Sequence, residues 1–275
     1  MTCGPSLKMV QTLAAATATS GPGAPEGETG DRPSFFPAPM KTVCVLQHTE
    51  AEYLGLMEDH LEGRAVRFQY CRPFTSGGTV PADAEGFDGL IVLGAGPHGI
   101  VSGSLLPSLG PELRLIKDFL DNDLPVIGIG LGAVMVAVAA GGGADEAPLR
   151  FSVTPARRTV PDALAGYLPE TFPAAIYMRD AVILPEGARI LAAGEDGAPL
   201  VFQIGERCFG FLGHPGAKSA MIEDLIMEFA ESPDDTAERL DELRGAQRSI
   251  ADALTAIMSG LVKTSGWMTG QGNRK

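Results

Sequence analysis

Basic residues are scarce: 21 Lys plus Arg stand against 34 Asp plus Glu, a formal charge of −13 with histidine neutral. Polyanion binding needs Lys and Arg clustered on one face. Basic runs here never exceed a pair such as Arg157-Arg158, so no nucleic-acid partner is expected. Cysteine is also sparse. Cys3, Cys44, Cys71 and Cys208 are scattered with no C-x-x-C pairing, which argues against a metal site or a disulfide framework and for a reducing, cytoplasmic setting. An unbroken apolar run is missing too. Leu124 to Ala144 carries no charge and approaches the length of a membrane span, but Pro125 and glycines at 128, 130, 132, 141, 142 and 143 interrupt it. A buried strand, a tight turn and a core helix fit that stretch better than a membrane segment. At 45% hydrophobic and 20% charged residues, most of the chain is able to bury a core.

Residues 1–39 are rich in Pro, Gly, Ala, Ser and Thr and have bulky apolar material only at Phe35-Phe36. A disordered leader is expected there. Lys8 followed by Met9 to Ala16 faintly resembles a signal peptide, but Gln11 and Thr12 interrupt it. Met40 directly precedes a strand, so it is an alternative biological start. From there, strands expected at 42–46, 66–70, 89–93 and 125–129 alternate with helices at 50–61, 111–121 and 131–140. Wholly apolar strands alternating with helices predict an α/β fold, a mostly parallel central sheet with helices on both faces. Short strands around 181–184, 189–193, 200–204 and 208–212 suggest a more antiparallel section. A domain is therefore expected over 40–231, closed by a helix at about 218–231.

A second helix is expected over 232–264, starting at Ser232-Pro233-Asp234-Asp235, with a flexible tail over 265–275. Its apolar positions Leu240, Leu243, Ile250, Leu254, Ile257 and Leu261 follow 3-4 spacing. Packing on the parent domain is the favoured use of that stripe, and a homodimer through it the alternative.

Three glycine-rich segments fall at the carboxyl ends of strands, where α/β proteins bind ligands: Gly94-Ala95-Gly96-Pro97, Gly128-Ile129-Gly130-Leu131-Gly132 and Gly210-Phe211-Leu212-Gly213-His214-Pro215. In the second, one residue flanked by glycines at i−2 and i+2 links a strand to a helix, the pattern of a nucleophile elbow. These segments, with Tyr177-Met178-Arg179-Asp180-Ala181-Val182 and Leu184-Pro185-Glu186-Gly187-Ala188, resemble the class I glutamine amidotransferases, most closely the stand-alone, GMP-synthase-like members. The resemblance covers about residues 41–230 and implies a flavodoxin-like fold. In that family G-x-C-x-G carries the nucleophilic cysteine, H-P-E supplies base and acid, S-G-G-P gives an oxyanion donor, and H-G-D-x-V precedes L-P-x-G-A.

The chain departs from the family where the chemistry lies. Gly130 stands at the nucleophile position, Gly216 at the acid position and Met178 at the histidine of H-G-D, while Ala95 replaces a loop glycine. His214 alone of the triad remains. Glutaminase chemistry needs a thiolate activated by a nearby base, and no cysteine is expected at the elbow. The oxyanion donors implied by the resemblance, the backbone N–H groups of Gly96 and Leu131, survive loss of any side chain. A catalytically silent protein that binds a ligand or regulates a partner is expected, with no cofactor. The alternative is a working subunit with a non-standard nucleophile that supplies ammonia to a partner synthetase. His214 also has a plainer reading, as a hydrogen-bonded turn residue before Pro215. Gly94-x-Gly96-x-x-Gly99 formally matches a dinucleotide-binding loop, which keeps an oxidoreductase as a further alternative, although Gly103 and Pro107 interrupt the helix that should follow.

Overall fold

The computed structural model describes residues 40–267. The leader expected over 1–39 and most of the expected tail, 268–275, lie outside the described residues. Strands β1 (Thr42–Leu46), β2 (Arg67–Cys71), β3 (Gly89–Val92) and β4 (Val126–Ile129) alternate with helices α1 (Met57–Glu62), α2 (Leu109–Asp121) and α3 (Leu131–Ala139). There follow β5 (Gly143–Asp145), β6 (Arg150–Arg158), β7 (Thr171–Met178), β8 (Ala181–Ile183), β9 (Arg189–Ala193), β10 (Pro199–Ile204) and β11 (Cys208–Phe211), then helices α4 (Ser219–Glu228) and α5 (Thr236–Ser265).

Nine strands form one sheet in the order β2-β1-β3-β4-β11-β10-β9-β6-β7, and β5 pairs with β8 separately. The first five are parallel to their neighbours and the pairings from β11 to β7 are antiparallel, as the apolar strands followed by short turn-bounded strands predict. Successive side chains leave opposite faces of a strand. Cys44, Leu46, Leu90 and Val92 accordingly pack with Leu115, Ile116 and Phe119 of α2, while Val43, Val45 and Ile91 join the core that holds Leu254, Ile257 and Leu261 of α5. Helices therefore cover both faces. The α5 stripe, with Leu243 and Ile250 also buried, is consumed by the domain itself. No helix among the described residues is long and apolar enough to cross a membrane.

Four expectations need correction. The stretch 50–56 is not helical; only Met57–Glu62 is. It runs instead as a loop pinned by Glu52 N–H to Thr49 Oγ1 (3.0 Å), Leu54 N–H to the Tyr70 hydroxyl (3.0 Å) and Leu56 N–H to the Gly216 carbonyl (3.0 Å). The hairpin β6–β7 is absent from the expected strands, because Pro155 and Pro173 sit inside it. They face each other in the register, where two residues without N–H are tolerated if the ladder asks for no donor there. Helix α5 starts at Thr236 rather than at the Ser232-Pro233 signal; Asp235 precedes it, and the Thr236 hydroxyl donates to the Pro233 carbonyl. Finally, Ser265 and Trp267 do not begin a flexible tail. Both are buried, and the Trp267 indole donates to the Asp88 carbonyl at 3.0 Å.

Candidate functional site

The turn from β4 into α3 sets the centre of the site. Gly130 holds φ +57° and ψ −124°, a conformation that a side chain makes costly. Its flanking glycines are fixed by close packing. A Cβ at Gly132 would overlap the Val92 carbonyl oxygen, and one at Gly128 would lie 2.5 Å from the Gly132 oxygen. At Gly130 itself the nearest atoms to a Cβ would be Gly94 Cα at 3.5 Å and Glu52 Oε1 at 3.8 Å, ordinary contacts. The space there is free, and only the backbone conformation favours glycine.

The Gly94–Pro97 loop borders this turn, and the 47–56 loop delivers Glu52 to it. Glu52 Oε2 accepts the Gly96 N–H at 2.6 Å, the donor to which the family resemblance would give an oxyanion. A Cβ at Gly94 would overlap Glu52 Oε1. The side chain is buried, and that burial pushes its carboxyl up to about 7, with Glu228 adding to the shift while the Gly96 N–H and His48 oppose it. A buried carboxyl group of the protein itself thus occupies the Gly96 N–H. Leu131, the other expected donor, opens α3 next to it.

His214 also lies beside Gly130, but its ring is wired to the backbone. Nδ1 accepts the Gly216 N–H at 3.1 Å, and Nε2 lies 2.8 Å from the Tyr53 carbonyl oxygen, which only an N–H can satisfy. The tautomer is thereby set as Nε2–H. Burial pulls its pKa down to about 4 against the Tyr53 carbonyl and the ring's own backbone, so the ring is neutral and has no free lone pair. A carboxylate at 216 would accept a hydrogen bond from the imidazole; the Gly216 amide instead donates one to it, which reverses the polarity. Nor is there room for an acid side chain, since a Cβ at 216 would lie 2.9 Å from Met57 Cγ and 3.0 Å from Met57 N.

Met178 ends β7 in the apolar core at 1% exposure, away from this polar cluster. Its neighbours have the structural role. Asp180, at φ +63°, accepts the N–H groups of Ile100 (2.6 Å) and Val101 (3.0 Å) and the Ser102 hydroxyl. Arg179 Nε donates to the Pro97 carbonyl at 2.5 Å, and its guanidinium pairs with Glu231. Together they clamp the loop that follows β3. That loop runs to Leu109 before α2 opens, so the glycines at 94, 96 and 99 do not lead into a helix N-terminus, and the dinucleotide-binding reading fails on geometry. Cys44, Cys71 and Cys208 lie on β1, β2 and β11, none at the turn.

Sequence reasoning missed Glu52, Tyr177 and a buried pair behind them. His48 Nδ1 donates to the Gly94 carbonyl at 2.8 Å and Nε2 lies 2.7 Å from Glu112 Oε2, both side chains fully buried. Burial would lower the His48 pKa, but the Glu112 carboxylate and the Gly94 carbonyl outweigh it and the net shift is upward. The one available signal was position: His48 and Glu52 follow the carboxyl end of an apolar strand. The space left beside Glu52, Gly130, Tyr177 and His214 is about 20 Å³, room for one water-sized species.

A scan of protein-family models and a search of curated proteins return no match. Solved structures do. The chain is similar to a glutamine amidotransferase from Methylobacillus flagellatus, at 22% identity and a TM-score of 0.71 over 86% of this chain and 99% of that one. It is similar to one from Thermotoga maritima at 21% and 0.69, over 82% and 98%, and to a putative GMP synthase subunit from Thermoplasma acidophilum at 19% and 0.52, over 76% and 98%. The fold is that of the glutamine amidotransferases.

Proposed function

We propose that this chain is a glutamine-amidotransferase-like protein without glutaminase activity, serving as a ligand-binding or regulatory subunit. The observation that carries this reading is the Glu52 carboxylate on the Gly96 N–H beside Gly130. Amide hydrolysis through a thioester needs a thiolate, a base that accepts its proton and an unoccupied anion site for the tetrahedral intermediate. Here a glycine holds the nucleophile position, His214 has both ring nitrogens committed, and Glu52 holds the anion site. A space of about 20 Å³ is also too small for a glutamine side chain. The name of the Thermoplasma acidophilum relative, a synthase subunit, supports a place in a larger assembly, with a synthetase as the natural partner. The scattered cysteines, with no C-x-x-C pairing, support a cytoplasmic setting.

The test is a sensitive glutaminase measurement on the purified full chain, alone and mixed with the products of neighbouring genes. Ammonia release is expected to stay at the blank. Hydrolysis that His214→Ala abolishes would overturn the reading.

A further inference from the structure

Cys44 and Cys71 stand 27 positions apart in the chain, a spacing that announces nothing, yet the fold brings their sulfurs within 3.6 Å. Cys44 lies on β1 and Cys71 ends β2, the edge strand of the sheet. Both side chains join the cluster under α2; Cys44 is fully buried there and Cys71 is partly exposed. The Cys44 S–H donates to Cys71 Sγ. That bond pulls the Cys71 thiol below its ordinary value against its own desolvation. The same bond and burial hold the Cys44 thiol well above its ordinary value, with Cys71 and Glu112 adding to the shift. One proton is thus shared by two sulfurs, a thiolate at the rim and a thiol within.

The strand register excludes a disulfide between them. Cys44 is paired with Gln69 and Cys71 with Leu46, so the two cysteines lie on a diagonal, two residues apart along neighbouring strands. With strands about 4.8 Å apart and about 3.3 Å per residue, their Cα atoms are about 8 Å from each other. A disulfide asks for Cα atoms within about 7 Å. Closing that gap would require β1 to shift, and β1 is held on both sides by β2 and β3.

A metal ion bridges a longer gap than a covalent bond between sulfurs. Each metal–thiolate bond is about 2.3 Å long, so two in line span about 4.6 Å, and the sulfurs need to part by only about 1 Å. No three His, Cys, Asp or Glu side chains converge as a metal group among the described residues. Zinc, which takes four ligands, and the hard, oxygen-seeking cations are therefore poorly served. Soft thiolates select copper(I), a closed-shell ion for which two sulfurs in line are a sufficient shell. We propose that Cys44 and Cys71 form a two-coordinate copper(I) site. Two S–Cu bonds form, the Cys44 S–H bond breaks and its proton leaves to solvent. No electron is transferred, and because a monovalent ion replaces one proton, the site keeps its charge.

Anaerobic titration of the full chain carrying Cys3→Ser tests this, with copper(I) supplied in the presence of bathocuproine disulfonate as competing chelator and bound copper counted after desalting. One copper per chain is expected, with an X-ray absorption edge showing two sulfur neighbours in line. Cys71→Ser and Cys44→Ser are each expected to lose the ion, and Cys208→Ser to keep it. Silver(I) is expected to displace it and zinc(II) not to. Absence of retained copper in the Cys3→Ser protein, one copper retained by Cys71→Ser, or three or four neighbours in the spectrum would each overturn the proposal. The first and third of these need no change at 44 or 71, and stand even if the buried Cys44→Ser fails to fold.

Discussion

Glu52 and His214 answer acid in opposite directions. Burial raises the Glu52 carboxyl from 4.5 to about 7, so between those values the folded chain keeps a proton that the unfolded chain has released. Stability from this group is present below about pH 4.5 and falls as the pH climbs through 7. Burial lowers His214 from 6.5 to about 4, so the unfolded chain takes up a proton there that the native ring refuses. Stability from this group is present above pH 6.5 and falls as the pH drops through 4. Each is an effect of about 3 kcal/mol, and between about pH 4.5 and 6.5 they nearly cancel. Urea titrations should show a flat profile over that window for the wild type. Glu52→Gln should unmask a rise of about 3 kcal/mol from pH 4 to 6.5, and His214→Gln a fall of similar size from pH 4.5 to 7. Two variants that keep the wild-type profile would mean that neither group titrates as its burial implies.

Among the elements, the residues just past α5 make a tie that spans 179 positions of the chain. Trp267 closes over β3, where a Cβ on Gly89 would lie 2.6 Å from its ring, and anchors the last turn to the parallel side of the sheet. Trp267→Ala should cost about 3–5 kcal/mol, read as a lower urea midpoint with an unchanged slope. The sequence hid this contact, since neither the lone tryptophan nor the glycine near the far end of the domain announces a partner. Parallel strands were legible because burial on both faces leaves them continuously apolar, as in Leu90-Ile91-Val92. The β4–α3 turn was legible because its packing admits only glycine at 128 and 132. The β6–β7 hairpin was not, because prolines and arginines mask its alternation. Glu52 was illegible for a different reason: its neighbours resemble the start of a helix, and the local bond to Thr49 with the tertiary bonds to Tyr70 and Gly216 holds the loop that turns its carboxyl group inward. The sequence singled out Gly130, His214 and Gly216 as candidates, and the hydrogen bond that runs from the Gly216 amide to the imidazole needed coordinates.

At the scale of the whole molecule, α5 covers the face of the sheet opposite α2 and supplies Leu254, Ile257 and Leu261 to its largest core cluster. A chain ended at Asp235 would expose that face. It is expected to pellet on expression and to lose the cooperative thermal transition, with an intact, soluble two-state domain as the contrary result. The same packing decides where the molecule has space for a new side chain. A Cβ at 130 would meet only ordinary contacts, at 3.5 Å or more, whereas one at 216 would lie 2.9 Å from Met57 Cγ and 3.0 Å from Met57 N. Space is thus open at the β4–α3 turn, where only the backbone conformation resists a side chain, and closed one loop away, an asymmetry that close packing alone imposes.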